Sequence, residues 1–415
     1  MPQFLKVKTA EEVLNILSSI PALPSEHVPL PKACSRILAS DIRAAEPVPN
    51  FPRATMDGFA VRARDTFGAS ENLPALLEVS GEVLMGAMPK VPLGPGNAVA
   101  IPTGGMLPEG ADAVVMVEYT SALDERMIEV NRPVAPGDNI LREGDDIRLG
   151  DLVFKKGRLL RPQDVGLLAA LGITEVEVHR VPRVAVISTG DEIVPVPTHP
   201  LPPGKVRDIN TYALAAQLEA AGAEVGMSET VSDRLEDLVN ACRKALESHD
   251  MLVLSGGSSV GVRDYTLQVL ESLPHPELLV HGVAIRPGKP VILGRTGSTV
   301  FWGLPGQPVS ALITCRVFVI SSLYRLQGRE GPESIIQNVR GTRAILNRQL
   351  PSVHGRTDFM PVFLSEREAG RLEATPIFGK SGAIGILARA DGYVIIPEHV
   401  EGLDQGTEVT VFPFS

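Results

Sequence analysis

Residues 251–261, MLVLSGGSSVG, decide the fold of this 415-residue chain. Four apolar residues in a row are typical of a short strand buried on both faces, and the glycines that follow form a loop. Residues 184–192, VAVISTGDE, repeat this arrangement of strand and loop. Between the two lie helical patterns that Asn210 and the Asp233–Glu236 pair are predicted to cap. This alternation predicts a doubly wound, mostly parallel α/β domain.

The rest of the chain is organised around this domain. Thr9 and Glu12 predict a capping box for a first helix, and an apolar run starting near Pro308 predicts a long helix to about Gln327. Elsewhere, short apolar runs separated by Gly and Pro predict β-rich modules, the last of them a small barrel or sandwich. We predict four parts: a doubly wound domain (1–20 and 181–328), a linking helical and β region (21–46 and 145–180), a β-rich module (47–144) and a C-terminal β domain (329–415).

Composition limits the classes of function. The net charge of −10 disfavours binding to nucleic acid or to an anionic membrane, since both would repel the chain. Three widely spaced cysteines are expected to be reduced thiols, and the scattered histidines give no zinc-ligand spacing. The longest apolar stretch, 309–326, contains Arg316 and Arg325 and is predicted to be too polar to cross a bilayer. The sequence therefore predicts a cytoplasmic protein with no membrane segment.

Four glycine-containing loops are predicted to leave the carboxyl ends of strands, where ligands bind in doubly wound sheets. They are residues 188–192, 255–261, 286–290 and 303–310. Their glycines let backbone N–H groups approach a ligand, and the helix N-terminus at Pro308 adds partial positive charge. Arg286 and Lys289 add full positive charge. These loops predict a site for an anion such as a phosphate or an oxoanion.

Carboxylates in and near the same loops predict a hard cation held through oxygen, most simply Mg²⁺. They are Asp191, Glu192, Asp233 and Asp264. Structural roles remain open for some of these residues, because Asp233 and Asp264 are also placed to cap helices and Pro308 suits a first helical position. A structural role is harder to assign to Lys289, because Gly288 and Pro290 restrict the backbone beside it.

Seven motifs occur in a fixed order along the chain. They are TMDGFAVR (55–62), IPTGG (101–105), GADAVV (110–115), STGDE (188–192), SGGSSVG (255–261), RPGKP (286–290) and GLPGQPVS (303–310). Together they resemble the MoeA-type molybdopterin molybdotransferases, a family that includes the E domain of gephyrin. The resemblance covers nearly the whole chain. It implies that adenylylated molybdopterin is bound, its pyrophosphate-type linkage is cleaved to release AMP, and molybdate supplies molybdenum to the dithiolene.

The same resemblance implies further properties. The doubly wound part resembles a molybdopterin adenylyltransferase, contact with such an enzyme is expected, and the chain should form a homodimer whose subunits share each active site. The motifs imply catalytic roles for Asp57, Thr103, Glu192, Asp233 and Asp264, of which Glu192, Asp233 and Asp264 would hold Mg²⁺. They imply ligand-binding roles for Gly256, Gly257, Ser258, Arg286, Lys289, Pro305, Pro308 and Ser310. The chain departs from the usual family residues at Gly105, Ser258, Arg286 and Gln307.

Two other functions remain as alternatives. The doubly wound domain alone would suit an adenylyltransferase acting one step earlier, but such an enzyme would not need two β-rich modules. A non-catalytic scaffold of the gephyrin kind would not need carboxylates at the motif positions. We therefore rank both below the molybdotransferase. Molybdate and tungstate are both tetrahedral and of nearly equal size, so the sequence does not distinguish them.

Overall fold

The structure, a computed structural model, describes residues 7–256, 265–329, 341–367 and 370–414. The two strands quoted above lie side by side in a six-stranded sheet. Its order is Glu224–Val231, Arg183–Thr189, Met251–Ser255, Thr299–Leu304, Ile292–Thr296 and Pro276–His281. The first three pairings are parallel and the last two are antiparallel. The predicted doubly wound, mostly parallel domain is confirmed.

Alternate residues of the central strands face two separate cores, because successive side chains of a strand point to opposite faces. Val184 and Val186 pack in one core with Leu214, whereas Ala185 and Ile187 pack in the other. Helices cover both faces. The first core includes residues from Ala10–Leu17, Asn210–Ala220 and Pro308–Leu326, and the second includes residues from Leu235–Leu246 and Tyr265–Glu271.

Local capping patterns were predictive at one helix and wrong at two. The Thr9–Glu12 capping box is confirmed, with both reciprocal hydrogen bonds present. Asn210 is not a cap, because it lies inside the helix and Asp208 accepts the hydrogen bond from the Thr211 backbone N–H at 3.1 Å instead. The predicted Asp233 capping box is also wrong, since that helix begins at Leu235 and Asp233 lies outside it.

The helix Pro308–Leu326 includes a π-helical segment, Cys315–Val319. By length and composition it could cross a membrane, so the prediction that its arginines make it too polar is wrong. However, 83% of its most apolar window is buried inside the protein, and the Arg316 guanidinium donates to the Pro413 carbonyl at 3.1 Å. Its burial indicates a core helix of the doubly wound domain.

The β-rich N-terminal module contains a second six-stranded sheet. Its order is Ala113–Met116, Gly58–Val61, Asn97–Ile101, Ala75–Glu82, Met127–Val130 and Thr120–Ala122. The short strands Arg53–Ala54 and Ile140–Leu141 pair beside it, and 3₁₀ turns lie at Ala63–Thr66 and Val117–Tyr119. Two small cores built mainly from Val, Ile, Leu and Ala stabilise the module.

The linking region has one core, to which two segments far apart in sequence contribute. Ser25–Pro29 pairs with Glu175–His179, and Ile42–Arg43 pairs with Leu152–Phe154. The helix Pro162–Ala170 and a 3₁₀ turn at Leu30–Lys32 complete the region. Val28 and Leu38 from the first segment pack with residues of the second, such as Leu168. The domain boundaries given above remain predictions.

The C-terminal sheet is a closed barrel, the first of the two predicted architectures. Its order is Ile285–Arg286, Thr357–Arg367, Arg371–Pro376, Thr342–Leu346, Glu408–Pro413 and Gly392–Ile396, and the last strand pairs back with Thr357–Arg367. Smaller elements of the C-terminal part are the strand pair Leu350–Pro351 with Gly402–Leu403 and the helix Gly385–Ala388. In the doubly wound part, the short strands Ile193–Val194 and Val206–Arg207 also pair. One expectation is wrong: the loop at 286–290 follows a strand of the barrel sheet, not of the doubly wound sheet.

Gly58 of the TMDG motif has a steric role that yields a stability prediction. A Cβ added at Gly58 would lie 1.9 Å from the Val115 carbonyl oxygen on the neighbouring strand. Gly58→Ala is therefore expected to destabilise the protein by about 1–3 kcal/mol, as overpacking does. Calorimetric melting curves measure the effect. Gly166→Ala is the control, because a Cβ there meets nothing within 4 Å and alanine favours the helix. Equal melting temperatures for the two variants would contradict the prediction.

Candidate functional site

A cleft of about 1060 Å³ lies where the doubly wound domain meets the barrel. The doubly wound segment contributes basic and polar side chains from the 286–290 loop and from the start of the long helix. The barrel contributes side chains from two of its own loops. The charged and polar lining of the cleft includes Arg286, Lys289, Gln307, Ser310, Arg356, Asp358, Lys380 and Ser381.

The loop at 286–290 is held against both domains. Ile285 and Arg286 pair in parallel with the start of the strand Thr357–Arg367. Gly288 has φ +110°, and a Cβ there would lie 2.4 Å from the buried Thr314 hydroxyl on the long helix. Only glycine can take this conformation at so close an approach. The loop is thus fixed between the barrel and the helix, and Arg286 and Lys289 both line the cleft.

The cleft is strongly basic. Among the described residues that line it, four are cationic and only Asp358 is anionic. Arg356 and Lys380 were missed by the sequence analysis. Each follows a glycine in the barrel segment, in GRTD (355–358) and GKS (379–381), but nothing local indicated that these stretches meet the 286–290 loop. A pocket with this charge suits a small multivalent anion.

The loops that leave the doubly wound sheet meet tightly at its carboxyl edge. Gly256 has φ +110°, and a Cβ there would lie 2.3 Å from the Thr189 carbonyl oxygen. The buried Asn210 side chain donates to the Ser255 hydroxyl at 2.8 Å and to the Gly306 carbonyl at 2.9 Å. Asn210 therefore joins loops that are far apart in sequence, which explains why it is not free to cap its helix.

The two prolines of the LPGQP motif lie at the same edge. The Pro305 carbonyl accepts a hydrogen bond from the Ser255 hydroxyl at 3.4 Å. Pro308 is the first residue of the long helix, a position that favours proline for structural reasons. Between them, a Cβ on Gly306 would lie 3.4 Å from the Gly256 Cα. The predicted Pro305 and Pro308 thus position backbone around the strand ends.

The carboxylates predicted to bind a metal lie on neighbouring loops. The Thr189 hydroxyl donates to Asp233 Oδ1 at 3.3 Å, and the Asp233 backbone N–H donates to Asp191 Oδ1 at 3.2 Å. The Glu192 carboxylate folds over Gly190, where a Cβ would lie 2.7 Å from its Oε2. Asp264, Gly257 and Ser258 lie outside the described residues, and the residues that are described contain no group of three potential metal ligands. The Mg²⁺ ligand set remains a prediction.

Asp57 and Thr103, from two separate motifs, are brought together in the N-terminal module. Asp57 Oδ1 accepts hydrogen bonds from the Thr103 backbone N–H at 2.6 Å and from its hydroxyl at 2.8 Å. These bonds, the backbone one first, lower the pKa of Asp57 below its ordinary value. Both residues are exposed, and neither lines the basic cleft of this chain. Asp57 is thus an exposed anion held in one orientation.

Thr103→Val is expected to raise the pKa of Asp57 partway to its ordinary value, since the hydroxyl donor is lost and the backbone donor stays. The ionised form of Asp57 stabilises the folded state above the ordinary aspartate pKa, and this contribution is lost as the pH falls through the lower folded pKa. In the valine variant the contribution is smaller, and its loss is complete at a higher pH than in the wild type. An NMR titration of the Asp57 carboxyl carbon measures this pKa. Thr103→Ser keeps the hydroxyl and should titrate like the wild type, whereas an unchanged pKa with valine would contradict the assignment.

Comparison with known proteins places this arrangement in a family. Residues 6–172 match the model of the MoeA N-terminal region (domain I and II), residues 185–325 match a model described as a probable molybdopterin binding domain, and residues 343–414 match the MoeA C-terminal region (domain IV). The chain belongs to the MoeA family. Its predicted membership is confirmed.

Relatives of the MoeA family match over most of their length. The molybdopterin molybdenumtransferase of Bacillus subtilis is 36% identical over 93% of this chain and 89% of that protein. The enzyme of the same name from Staphylococcus aureus is 32% identical over 98% of this chain and 95% of that protein. These names confirm the predicted transferase class and favour it over the two alternatives.

Solved structures of the family share the whole fold. A MoeA protein from Pyrococcus horikoshii OT3 superposes with a TM-score of 0.82 at 32% identity, covering 98% of this chain and all of that one. A second MoeA structure, from Pyrococcus horikosii, gives a TM-score of 0.79 at 41% identity and covers 99% of this chain and all of the other. The multidomain MoeA architecture is therefore confirmed.

Proposed function

We propose that this chain is a molybdopterin molybdotransferase that inserts molybdate into adenylylated molybdopterin. In this reaction the pyrophosphate-type bond of the adenylylated substrate is cleaved, AMP leaves, and molybdenum joins the dithiolene sulfurs. The curated relatives from Bacillus subtilis and Staphylococcus aureus are both named molybdopterin molybdenumtransferase. Family membership supports the reaction class, and the geometry of the site supports its individual steps.

One observation carries the proposal: the carboxyl edge of the doubly wound sheet is continuous with the basic cleft. Gly306 lies against Gly256 at the sheet edge, and the next residue, Gln307, lines the cleft. From the barrel, the Ser381 hydroxyl donates to the Gln307 side chain, and the Ser381 carbonyl accepts from the Val309 N–H at 3.0 Å. A nucleotide-linked pterin at the sheet edge and an oxoanion in the cleft would therefore be neighbours.

The two parts of the site, the basic cleft and the sheet edge, suit different substrates. Molybdate is a tetrahedral dianion, and the cleft presents the planar donor forks of Arg286 and Arg356 with the point charges of Lys289 and Lys380. Charge-assisted hydrogen bonds from such groups are short and strong. At the sheet edge, the helix N-terminus near Pro308 favours phosphate. This division assigns molybdate to the cleft and the phosphates to the sheet edge.

Asp191, Glu192 and Asp233 supply carboxylate oxygens, the type of ligand that Mg²⁺ prefers, and this ion also retains several waters. We assign them, with Asp264, to hold Mg²⁺ beside the phosphates. When bound, Mg²⁺ supplies neutralising charge for the leaving AMP phosphate. The remaining site residues of the doubly wound domain bind and orient the two substrates.

The proposal also includes assembly. Asp57 and Thr103 hydrogen-bond within the N-terminal module and lie outside the basic cleft, so we propose that a second subunit completes each site in a homodimer. The adenylylated substrate must come from an adenylylating enzyme, which makes contact with a molybdopterin adenylyltransferase part of the proposal. A cytoplasmic location follows from the sequence composition and belongs to the same proposal.

Release of AMP tests the reaction. Purified protein is incubated with adenylylated molybdopterin, with and without molybdate and with and without Mg²⁺, and AMP is quantified. We expect AMP only when Mg²⁺ is present, and molybdenum-loaded cofactor only when molybdate is added as well. A scaffold would release no AMP. Consumption of ATP with molybdopterin, in place of AMP release, would indicate the adenylyltransferase.

A further inference from the structure

Asp358 is a buried carboxylate in the wall of the basic cleft. Its side chain is 1% exposed, and it lies near the start of the barrel strand Thr357–Arg367. The Arg356 Nε donates to Asp358 Oδ1 at 2.8 Å, and Arg356 Nη2 lies 3.4 Å from Oδ2. Arg286 Nη1 lies 3.5 Å from the same Oδ2. A single buried anion thus meets two guanidinium groups that line the cleft.

These two arginines come from different parts of the fold. Arg286 belongs to the doubly wound segment, whereas Arg356 belongs to the barrel. The register of the parallel strand pair sets Arg286 opposite Asp358. Backbone hydrogen bonds already tie the two segments together, since the Thr357 N–H donates to the Ala284 carbonyl at 2.9 Å. The carboxylate is therefore not required to join the domains, and its burial needs another explanation.

Burial of a carboxylate is costly unless charged partners compensate it. Here the partners remain available to the cleft: 50% of the Arg286 side chain and 32% of the Arg356 side chain are exposed. A long arginine side chain loses rotamer freedom when it binds a ligand, and a carboxylate that fixes it beforehand reduces that cost. Each guanidinium can donate to Asp358 and still point other N–H groups at an anion.

We propose that Asp358 is a positioning residue for oxoanion binding: its carboxylate holds the Arg286 and Arg356 guanidinium groups so that both converge on one tetrahedral anion in the cleft. This inference rests on the proposed function and goes beyond it by naming the group that sets the geometry of the cations. Asp358 is a buried residue of the cleft wall and acts through the two arginines.

Asp358→Asn provides the test, because it removes the charge at nearly constant shape. Positioning predicts that molybdate affinity, measured by isothermal titration calorimetry, falls on the order of tenfold. In turnover assays the KM for molybdate should rise while kcat at saturating molybdate changes little. A purely electrostatic effect predicts the opposite, since removing a negative charge from a basic cleft would tighten anion binding. Affinity equal to or higher than wild type overturns the inference.

A double-mutant cycle separates positioning from a general structural role. In a background where Arg286 and Arg356 are both glutamine, Asp358→Asn should have no further effect on molybdate affinity. Additive losses would overturn the inference. Asp391→Asn is the matched control, because Asp391 is an exposed barrel carboxylate that accepts from the Leu364 N–H at 2.7 Å, away from the cleft lining. It should bind molybdate like the wild type.

A second variant covers the case in which Asp358→Asn does not fold. Arg356→Lys keeps the positive charge and loses the planar fork that Asp358 holds, so positioning predicts weaker molybdate binding with the fold retained. Unchanged affinity in this variant overturns the inference. Failure of the proposed function gives a different result. If the wild type binds neither molybdate nor sulfate, the oxoanion site itself is refuted. If the wild type binds molybdate and Asp358→Asn binds it equally well, only the positioning role is rejected.

Discussion

The double variant Lys289→Ala with Lys380→Ala is expected to bind molybdate about a hundredfold more weakly than the wild type. The two lysines line the cleft from different segments, one from the 286–290 loop and one from the barrel. A hydrogen bond to a charged group contributes about 1.5–3 kcal/mol, and each 1.4 kcal/mol is tenfold in affinity. Each single variant should therefore lose about tenfold or more.

Stability should be nearly unchanged in these variants, since both side chains are exposed. Isothermal titration calorimetry with molybdate gives the affinities, and melting curves confirm the fold. Lys155→Ala is the control, because Lys155 is an exposed lysine of the linking region and does not line the cleft. A double variant that binds molybdate as tightly as the Lys155 control would place the oxoanion outside the cleft.

The second large effect concerns the shared site. Mixing equal amounts of two inactive variants, Asp57→Ala and Glu192→Ala, with dissociation and re-pairing, should restore about a quarter of wild-type sites. In a mixed dimer whose sites combine Asp57 of one chain with Glu192 of the other, one site collects both defects and the second collects neither. Random pairing makes half of the dimers mixed, and one of the two sites in each mixed dimer is intact. A quarter of all sites is therefore intact.

AMP release by the re-paired mixture is the measurement. Each variant re-paired with itself is the control and should remain inactive. If each site were built within one chain, every site of the mixture would keep one defect. No recovery of activity, in a sample where native mass spectrometry detects heterodimers, would refute the shared site while leaving the reaction itself untouched.

Several features of the fold could be predicted because they depend on local patterns. The apolar runs at 184–187 and 251–254 become adjacent strands of the sheet, since a strand buried on both faces must be apolar along its length. The Thr9–Glu12 capping box forms as expected because its two partners are three residues apart. Gly256 and Thr189 also lie together, as expected for loops at the carboxyl ends of neighbouring strands, whereas only family resemblance implied that Asp57 and Thr103 act in one site.

Errors arose where a side chain has a partner far away in sequence. Asn210 was predicted to cap its helix, but its amide is used by Ser255, 45 residues away, and by Gly306, 96 residues away. Asp233 likewise accepts from Thr189, 44 residues away, and takes no part in a cap. Local capping patterns assume that a polar side chain bonds to its own helix, and packed loops offer it competing partners.

The pattern of the sequence determines that this chain builds a mostly parallel sheet from short apolar strands and places glycine loops at their ends. Only the tertiary structure decides which charges meet there. Arg286 joins the barrel because its strand pairs with residues 357 and 358, and closure of that barrel brings Arg356 and Lys380 to the same cleft. The pairing of Arg286 with Asp358 spans 72 residues and the pairing that closes the barrel spans 30 to 38, so no local pattern of residues could have revealed the basic cleft.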